Sequence, residues 1–218
     1  MKIYASGSTV DLLSSDGQFL ARASYSPTSK SPVSGRSTTS QWIGILSQKI
    51  KSTIEMRQKL KVESHSNSYR FLHAESDGIP GLIVDRYNDV LVLQSLTTGS
   101  EFWKETIADL LVEETGIQNI YERSTPMCAN SKDYNRSSVY CAALFPLSSF
   151  PLEYDLKFNV DIQHGTRPSS ISIKVLTVTV WVNLQKTVMC SCFCYTGGFS
   201  IHALANGAKS VLLCRFIG

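Results

Sequence analysis

The stretch TVMCSCFCYTGGFSIHALANGAKSVLLC, residues 187–214, decides the fold class of this chain. Its apolar start predicts a strand, which is followed by a predicted helix over residues 199–206 and a second strand over 209–214. Gly197 and Gly198 stand between the first strand and the helix. Strand, glycine turn, helix and strand form the opening unit of a doubly wound α/β sheet. Glycine at this turn lets a ligand approach the backbone, but a turn that only packs tightly has the same pattern.

The most regular pattern lies in the middle of the chain. The segments YRFLHAES, LIVDRY and DVLVLQSL predict three strands over residues 69–96, with turn residues between them. A helix is predicted over residues 101–115, started by Ser100 and ended by Gly116, before another strand over 117–121. The apolar face of this helix consists of Trp103, Ile107, Leu110 and Leu111. These elements predict an α+β domain.

The N-terminal region predicts β structure followed by a helix. Apolar runs on both sides of Asp16 and Gly17 predict a β-hairpin over residues 9–23. The next stretch, SPTSKSPVSGRSTTS at residues 26–40, resembles a disordered linker because it contains a single large apolar residue. A helix is then predicted over residues 45–60. Its polar side indicates either a solvated face or a face that contacts phosphate groups, and it carries Lys49, Lys51, Arg57 and Lys59.

Composition excludes several classes of protein. A net charge of +3 is too small to indicate a nucleic-acid partner by itself. No apolar run reaches the roughly 18 residues that a membrane span requires, and the N-terminus lacks the pattern of a signal peptide. We therefore expect a cytoplasmic protein with no membrane partner and with reduced cysteines. Cys190, Cys192 and Cys194 are expected to pack beneath a helix on one strand face, because their spacing does not match a zinc site.

Several of these segments resemble the ribosomal RNA large-subunit methyltransferase I family, which methylates C5 of cytosine. CFCYTGGFSIHALANGAKSVL is similar to the cofactor-binding motif of that family. YRFLHAESDGIPGLIVDRYNDVLVLQSLTTG and IYERS resemble its middle domain, and STVDLLSSDGQFLARASYSPTS resembles its N-terminal PUA domain. The resemblance implies a PUA-like β remnant at residues 1–64, an α+β middle domain at 65–150, and the start of a doubly wound, Rossmann-like methyltransferase domain at 151–218.

The resemblance also implies a cofactor and a substrate. The cofactor would be S-adenosylmethionine, and the substrate would be large-subunit ribosomal RNA. The matching loop residues are Phe193, Tyr195, Thr196, Gly197, Gly198 and Phe199. Cys214 stands where the family has the acid that binds the ribose hydroxyls, and the motif with the catalytic cysteine has no counterpart. We therefore expect very weak cofactor binding or none, and no methyl transfer, from this chain, which looks truncated.

Three tracts with poor periodicity lie where the family has recognisable motifs. They are residues 26–40, 125–150 and 166–182. Read one nucleotide out of step, residues 170–174 can encode Tyr-Leu-Asp-Gln, a tetrapeptide that precedes the family's cofactor strand. Residues 30–37, 125–135 and 214–218 permit family segments in the same way, the last of them in the opposite offset. This pattern predicts a partly frameshifted chain, in which the affected tracts cannot offset their own ordering entropy.

Two hypotheses other than catalysis are compatible with the sequence. The PUA-like and middle regions would act as an RNA-binding module, and this hypothesis gains support if Arg22 and Arg70 cluster with the basic side of the 45–60 helix. The other hypothesis is a frameshifted product that has no function.

Overall fold

The structure, a computed structural model, describes residues 4–27, 33–37, 42–64, 66–123, 148–149, 152–153, 156–158, 160–162, 188–192 and 197–214. These residues form a three-stranded N-terminal sheet, a four-stranded central sheet, two short strand pairs and a C-terminal strand pair. None of the helices in these ranges combines the length and the apolar character that crossing a membrane requires.

Three antiparallel strands form the N-terminal sheet: β1 (Thr9–Leu13), β2 (Phe19–Tyr25) and β3 (Val33–Ser37), in that order. The predicted hairpin is confirmed, because β1 pairs with β2 and the turn between them passes through Gly17 at φ 84°. The prediction of a disordered linker is wrong at β3, which pairs with β2. The main-chain N–H and C=O groups of β3 are hydrogen-bonded to β2. The strand can therefore form although its sequence has no alternation of apolar and polar residues.

The central sheet has four strands in the order β4 (Ser68–His73), β5 (Leu82–Tyr87), β6 (Val90–Ser95) and β7 (Asn119–Glu122). β4 and β6 both run antiparallel to β5, and β7 runs parallel to β6. All four strands were predicted from the sequence, and their positions are confirmed to within a few residues. A parallel neighbour for β6 is possible because a helical connection separates it from β7.

Two helices cover one face of the central sheet: α1 (Trp42–Lys59) and α3 (Lys104–Thr115). The predicted apolar face of α3 is confirmed, since three of its four members are buried and Trp103 packs against the same core. The buried members of this core from the two helices and the sheet include Leu46, Ile50, Ile107, Leu110, Leu111, Leu91 and Ile120.

The start of the predicted 101–115 helix differs from the prediction. A short helix, α2 (Thr98–Phe102), precedes α3, and Trp103 lies between the two at φ −100° and ψ 7°. Thr97 caps α2, and Ser100 completes a capping box from inside the helix instead of acting as the cap itself. Gly116 ends α3 in the left-handed conformation, as predicted.

The opposite face of the central sheet is covered by a later segment of the chain. In this segment β8 (Ser148–Ser149) pairs with β11 (Val160–Asp161), and β9 (Leu152–Glu153) pairs with β10 (Leu156–Lys157). The sequence of residues 153–163 predicts two short strands around Asp155 and Leu156. The structure differs, because Leu156 lies within β10 and a further strand, β11, follows. The cluster on this face, called here the second-face cluster, consists of Tyr87, Val90, Val92, Tyr121, Val160 and Ile162, with Phe158 packed against it. Most of the irregular tract 125–150 and all of 166–182 lie outside the described residues.

The C-terminal unit consists of β12 (Val188–Cys192), α4 (Gly198–Ala205) and β13 (Ser210–Cys214), with the two strands parallel. This confirms the predicted order of strand, turn, helix and strand. Phe199, Ala203, Ala208 and Val211 pack together between α4 and β13.

Cys190 corrects one prediction about the cysteines. Its side chain is exposed, so it does not pack beneath a helix. It is the register partner of Leu212, one residue from Val211, and alternate residues of a strand point to opposite faces. Because Val211 packs with α4, Cys190 lies on the other face, where Val188 and Leu212 are exposed as well. The side chain of Cys192 and all of Cys194 lie outside the described part of the chain.

Candidate functional site

The glycine turn lies between β12 and α4, and its backbone conformation requires glycine. Gly197 has φ 78° and ψ 12°, in the left-handed region that residues with a Cβ adopt at a cost. Its carbonyl oxygen accepts a hydrogen bond from the N–H of Ile201 at 2.9 Å, which closes the first turn of the helix. The turn is therefore locked into the start of α4.

The space around this turn distinguishes a packing turn from one that is open to a ligand. A Cβ placed on Gly197 or Gly198 would meet no heavy atom of the described chain within 4 Å. At Gly99, in contrast, an added Cβ would lie 2.6 Å from the Ser24 hydroxyl oxygen, as is typical of a glycine that permits close packing. Tight packing against the rest of the described chain therefore does not explain the glycine pair.

The position of the turn in the sheet suits a polar ligand. The register pairs Cys192 with Cys214 at the carboxyl ends of the parallel strands, and the turn comes next after β12 among the described residues. Ligands of open α/β sheets bind outside this edge. The first N–H groups of α4 have no partner within the helix, and they give this end a partial positive charge. The open glycines and the helix start therefore fit a cofactor with an anionic or polar group.

The structure brings together only part of the predicted site. Gly197 and Gly198 form the turn itself. Phe199 is half-buried and packs with Ala203 and Val211 in the C-terminal unit, so it holds the helix onto the sheet. Phe193, Tyr195 and Thr196 lie outside the described residues.

Two buried polar residues near the turn were not predicted as site residues. The hydroxyl oxygen of Ser200 is buried and makes no hydrogen bond within the described chain. His202 is 1% exposed, and burial lowers the pKa of its imidazole below the ordinary value of 6.5. His202 stands one turn after Gly198, and its sequence position could have identified it as a helix residue that faces inward.

Two of the four basic residues considered for phosphate binding on α1 are engaged by carboxylates. Arg57 pairs with Asp77 at 2.8 Å, and Lys51 of α1 pairs with Glu114 of α3 at 3.2 Å. Arg22 and Arg70, which would have extended a basic surface, pair instead with Asp11 at 2.6 Å and Asp85 at 2.8 Å. At Lys51 and Arg57 this pairing favours an internally neutralised helix face over one that contacts phosphate groups.

Buried charges are concentrated in the central sheet. Asp85 is buried, and desolvation raises the pKa of its carboxyl although the Arg70 guanidinium opposes that shift. Glu122, which is also buried, lies 3.3 Å from the Lys104 ammonium at the start of α3. Within the described ranges, no three His, Cys, Asp or Glu side chains form a group that could hold a metal ion. Both buried carboxylates have a basic partner nearby in the fold.

Comparison with known proteins gives sequence relatives along nearly the whole chain, although no family model matches it. Proteins named ribosomal RNA large subunit methyltransferase I are similar over 94% of the chain, with 31% identity in Vibrio vulnificus, 32% in Vibrio cholerae and 29% in Escherichia coli. The alignments cover 53% of each relative. The chain thus spans about half the length of the curated relatives it matches.

Two solved structures have a similar fold over 97% of the chain, with TM-scores of 0.74 and 0.73 and 18% sequence identity. They are described as a methyltransferase complexed with SAH and as a SAM-dependent methyltransferase from Streptococcus mutans. The matches cover 55% and 56% of those chains. At this level of identity the likeness shows the fold.

Proposed function

We propose that this chain is an S-adenosylmethionine-dependent methyltransferase of the ribosomal RNA large-subunit methyltransferase I family, which acts in the cytoplasm on C5 of a cytosine. The proposal is carried by one observation, an open glycine turn in a parallel β-α-β unit. Similarity to methyltransferases of that name over 94% of the chain supports it. The paired basic side chains argue against the alternative of an RNA-binding module that works through those residues.

The proposed domain organisation has three parts. Residues 1–64 include the PUA-like sheet, 65–150 the middle domain, and 151–218 the start of the methyltransferase domain. The α1 helix lies in the first part by sequence but packs on the sheet of the second through Leu46 and Ile50. This packing joins the first two parts through a shared core.

The cofactor loop is proposed to consist of Phe193, Tyr195, Thr196, Gly197, Gly198 and Phe199. When bound, S-adenosylmethionine would supply an electrophilic methyl group. Gly197 and Gly198 would let it approach the backbone, and the first amides of α4 would donate hydrogen bonds to its polar groups. Phe199 would keep the turn in place through its packing in the C-terminal unit.

A binding experiment on the full chain tests the cofactor site. We expect S-adenosylhomocysteine to bind weakly, with a dissociation constant above the low micromolar range, because Cys214 replaces the acid expected at the end of β13. Saturation transfer from protein to ligand, observed by NMR, detects binding of this strength. Gly198→Val should abolish it without unfolding the protein, since the added side chain meets open space in the described chain.

The matched control compares two glycines that have the same backbone conformation. Gly197 has φ 78° and Gly116 has φ 70°, and an added Cβ meets nothing of the described chain at either position. Gly197→Ala should weaken the ligand signal, whereas Gly116→Ala should leave it unchanged. A wild-type chain that gives no ligand signal, or a signal that Gly198→Val leaves intact, would contradict the proposed site. Tight binding in the low micromolar range would contradict the role given to the missing acid.

Methyl transfer tests the catalytic part of the proposal. Methylation at C5 requires a thiolate that adds to C6, with a cysteine held beside the extruded base. Cys190 is exposed on the β12 face opposite α4, and we propose that none of the six cysteines is the nucleophile. We therefore expect no methyl transfer to large-subunit ribosomal RNA from these 218 residues. Transfer that is lost when any one cysteine is replaced by serine would overturn this expectation.

A further inference from the structure

The α4 helix has an aromatic contact outside its own unit. The imidazole of His202 lies 5.6 Å from the ring of Phe158, measured between ring centroids, with 36° between the planes. This distance is within the range over which aromatic rings attract each other. Phe158 follows β10, whereas His202 belongs to the C-terminal unit. The contact therefore joins two parts of the chain that have separate apolar clusters.

Each ring is held on its own side. Phe158 packs against the second-face cluster and so is anchored to the central sheet through residues such as Val92 and Tyr121. His202 is fully buried beside Ala203, which has no exposed surface. Burial also lowers the pKa of His202, which keeps the imidazole neutral at pH 7 and suited to an apolar contact. Each ring is therefore packed within its own part of the chain.

His202 is placed to control the glycine turn. It follows Gly198 by four residues, about one turn of helix or roughly 6 Å along the axis. A helix transmits displacement along its axis because its hydrogen bonds link successive turns, and the Ile201 amide is bonded to the Gly197 carbonyl. A shift of the His202 ring therefore shifts the turn as well.

We propose that His202 is a positioning residue, whose contact with Phe158 fixes the Gly197 and Gly198 turn relative to the central sheet. The inference deepens the proposed function, because the turn it positions is the proposed cofactor site. The docking contact itself does not depend on what the turn binds. It can be tested separately from ligand binding.

Amide hydrogen exchange of the full chain, resolved to peptides, tests the docking. His202→Ala and Phe158→Ala should each make the amides of α4 exchange roughly fivefold faster or more. The amides of α3 and β4, which contribute no residue to the second-face cluster, should keep their rates. The double variant should be no faster than the quicker single variant, because both substitutions remove the same contact. His202→Phe retains an aromatic ring and should restore slow exchange.

Ligand binding distinguishes a positioning role of His202 from a purely structural role. His202→Ala should weaken the S-adenosylhomocysteine signal, and His202→Phe should recover it. Additive effects of the two single variants, equal acceleration in α3 and β4, or α4 amides that already exchange at the unfolded rate in the wild type would each overturn the proposal. Protected α4 amides together with no ligand signal in any variant would confirm the docking and contradict the proposed cofactor site instead.

Discussion

The described residues include two parallel β-α-β units that differ in how much of their apolar surface is buried. In the unit formed by β6, α3 and β7, Leu91, Leu93 and Ile120 are 0% exposed. In the unit formed by β12, α4 and β13, Val188 is 69% exposed and Leu212 is 61% exposed. Both units have the local pattern that their topology requires.

The difference lies in the layers around each unit. The central unit is extended by β4 and β5, covered by α1 and α3 on one face, and covered by the second-face cluster on the other. The C-terminal unit has α4 on one face, while Val188 and Cys190 on the other face are exposed. Parallel strands normally have both faces covered. The comparison shows that local pattern forms the unit, and that additional layers stabilise it.

The largest expected effect on the free energy of unfolding comes from truncating one leucine in each of the two units. Leu111→Ala removes a fully buried side chain and should lower the free energy of unfolding by about 2–5 kcal/mol. Leu212→Ala removes an exposed side chain and should change it by no more than about 0.5 kcal/mol. Urea unfolding followed by far-UV circular dichroism measures both. Equal losses would show that the C-terminal unit is as well packed as the central one.

The buried ion pair of the central sheet should give the next largest effect. Asp85→Asn leaves the Arg70 guanidinium with a weaker partner in a buried position, and we expect a loss of about 1–3 kcal/mol in the free energy of unfolding. Asp11→Asn is the control, because its pair with Arg22 is exposed and should not affect the urea midpoint measurably. A neutral Asp85→Asn variant would mean that burial of this pair adds nothing to the stability of the central sheet.

The left-handed glycines sharpen the comparison further. Gly116→Ala strains the end of α3 and should lower the free energy of unfolding by about 1 kcal/mol. Gly197→Ala introduces the same strain at the start of α4 but should leave the main transition unchanged, since that unit is not part of the central core. Its effect should be confined to faster amide exchange in α4. A common shift of the main transition by both variants would show that the two units unfold together.

The smallest expected effect is the pH dependence of α4. The pKa of His202 is lowered by burial, so the folded state binds fewer protons than the unfolded state. Its contribution to stability is fully present above the unfolded pKa of about 6.5 and is lost as pH falls toward the lower folded value. After correction for intrinsic rates, α4 amides should exchange faster below that range than above it. His202→Phe should remove this dependence, and a wild-type profile without any pH effect would contradict it.

Sequence patterns predicted the elements whose signal is local. Asp16 and Gly17 indicated the first hairpin, and the spacing of Ile107, Leu110 and Leu111 indicated the buried face of α3. Both are confirmed because hairpin turns and helix faces depend on residues a few positions apart. For the candidate site the sequence predicted the glycine turn before α4, and the cofactor-binding role of its residues stays a prediction. The start of α2 was predicted less well, because either Thr97 or Ser100 can cap a helix and the surrounding contacts select one.

By itself, the sequence determined the order of strands and helices, the position of the glycine turn and the apolar faces that form cores. Tertiary structure decided which distant segments meet. It paired β3 with β2, placed Arg57 and Arg70 beside carboxylates, and brought Phe158 against His202. Periodicity and turn chemistry act over a few residues. Each of these contacts joins residues that lie farther apart along the chain, and the local sequence of one residue does not indicate which partner it will meet. The choice among partners is made by burial and by the need to satisfy main-chain and charged groups.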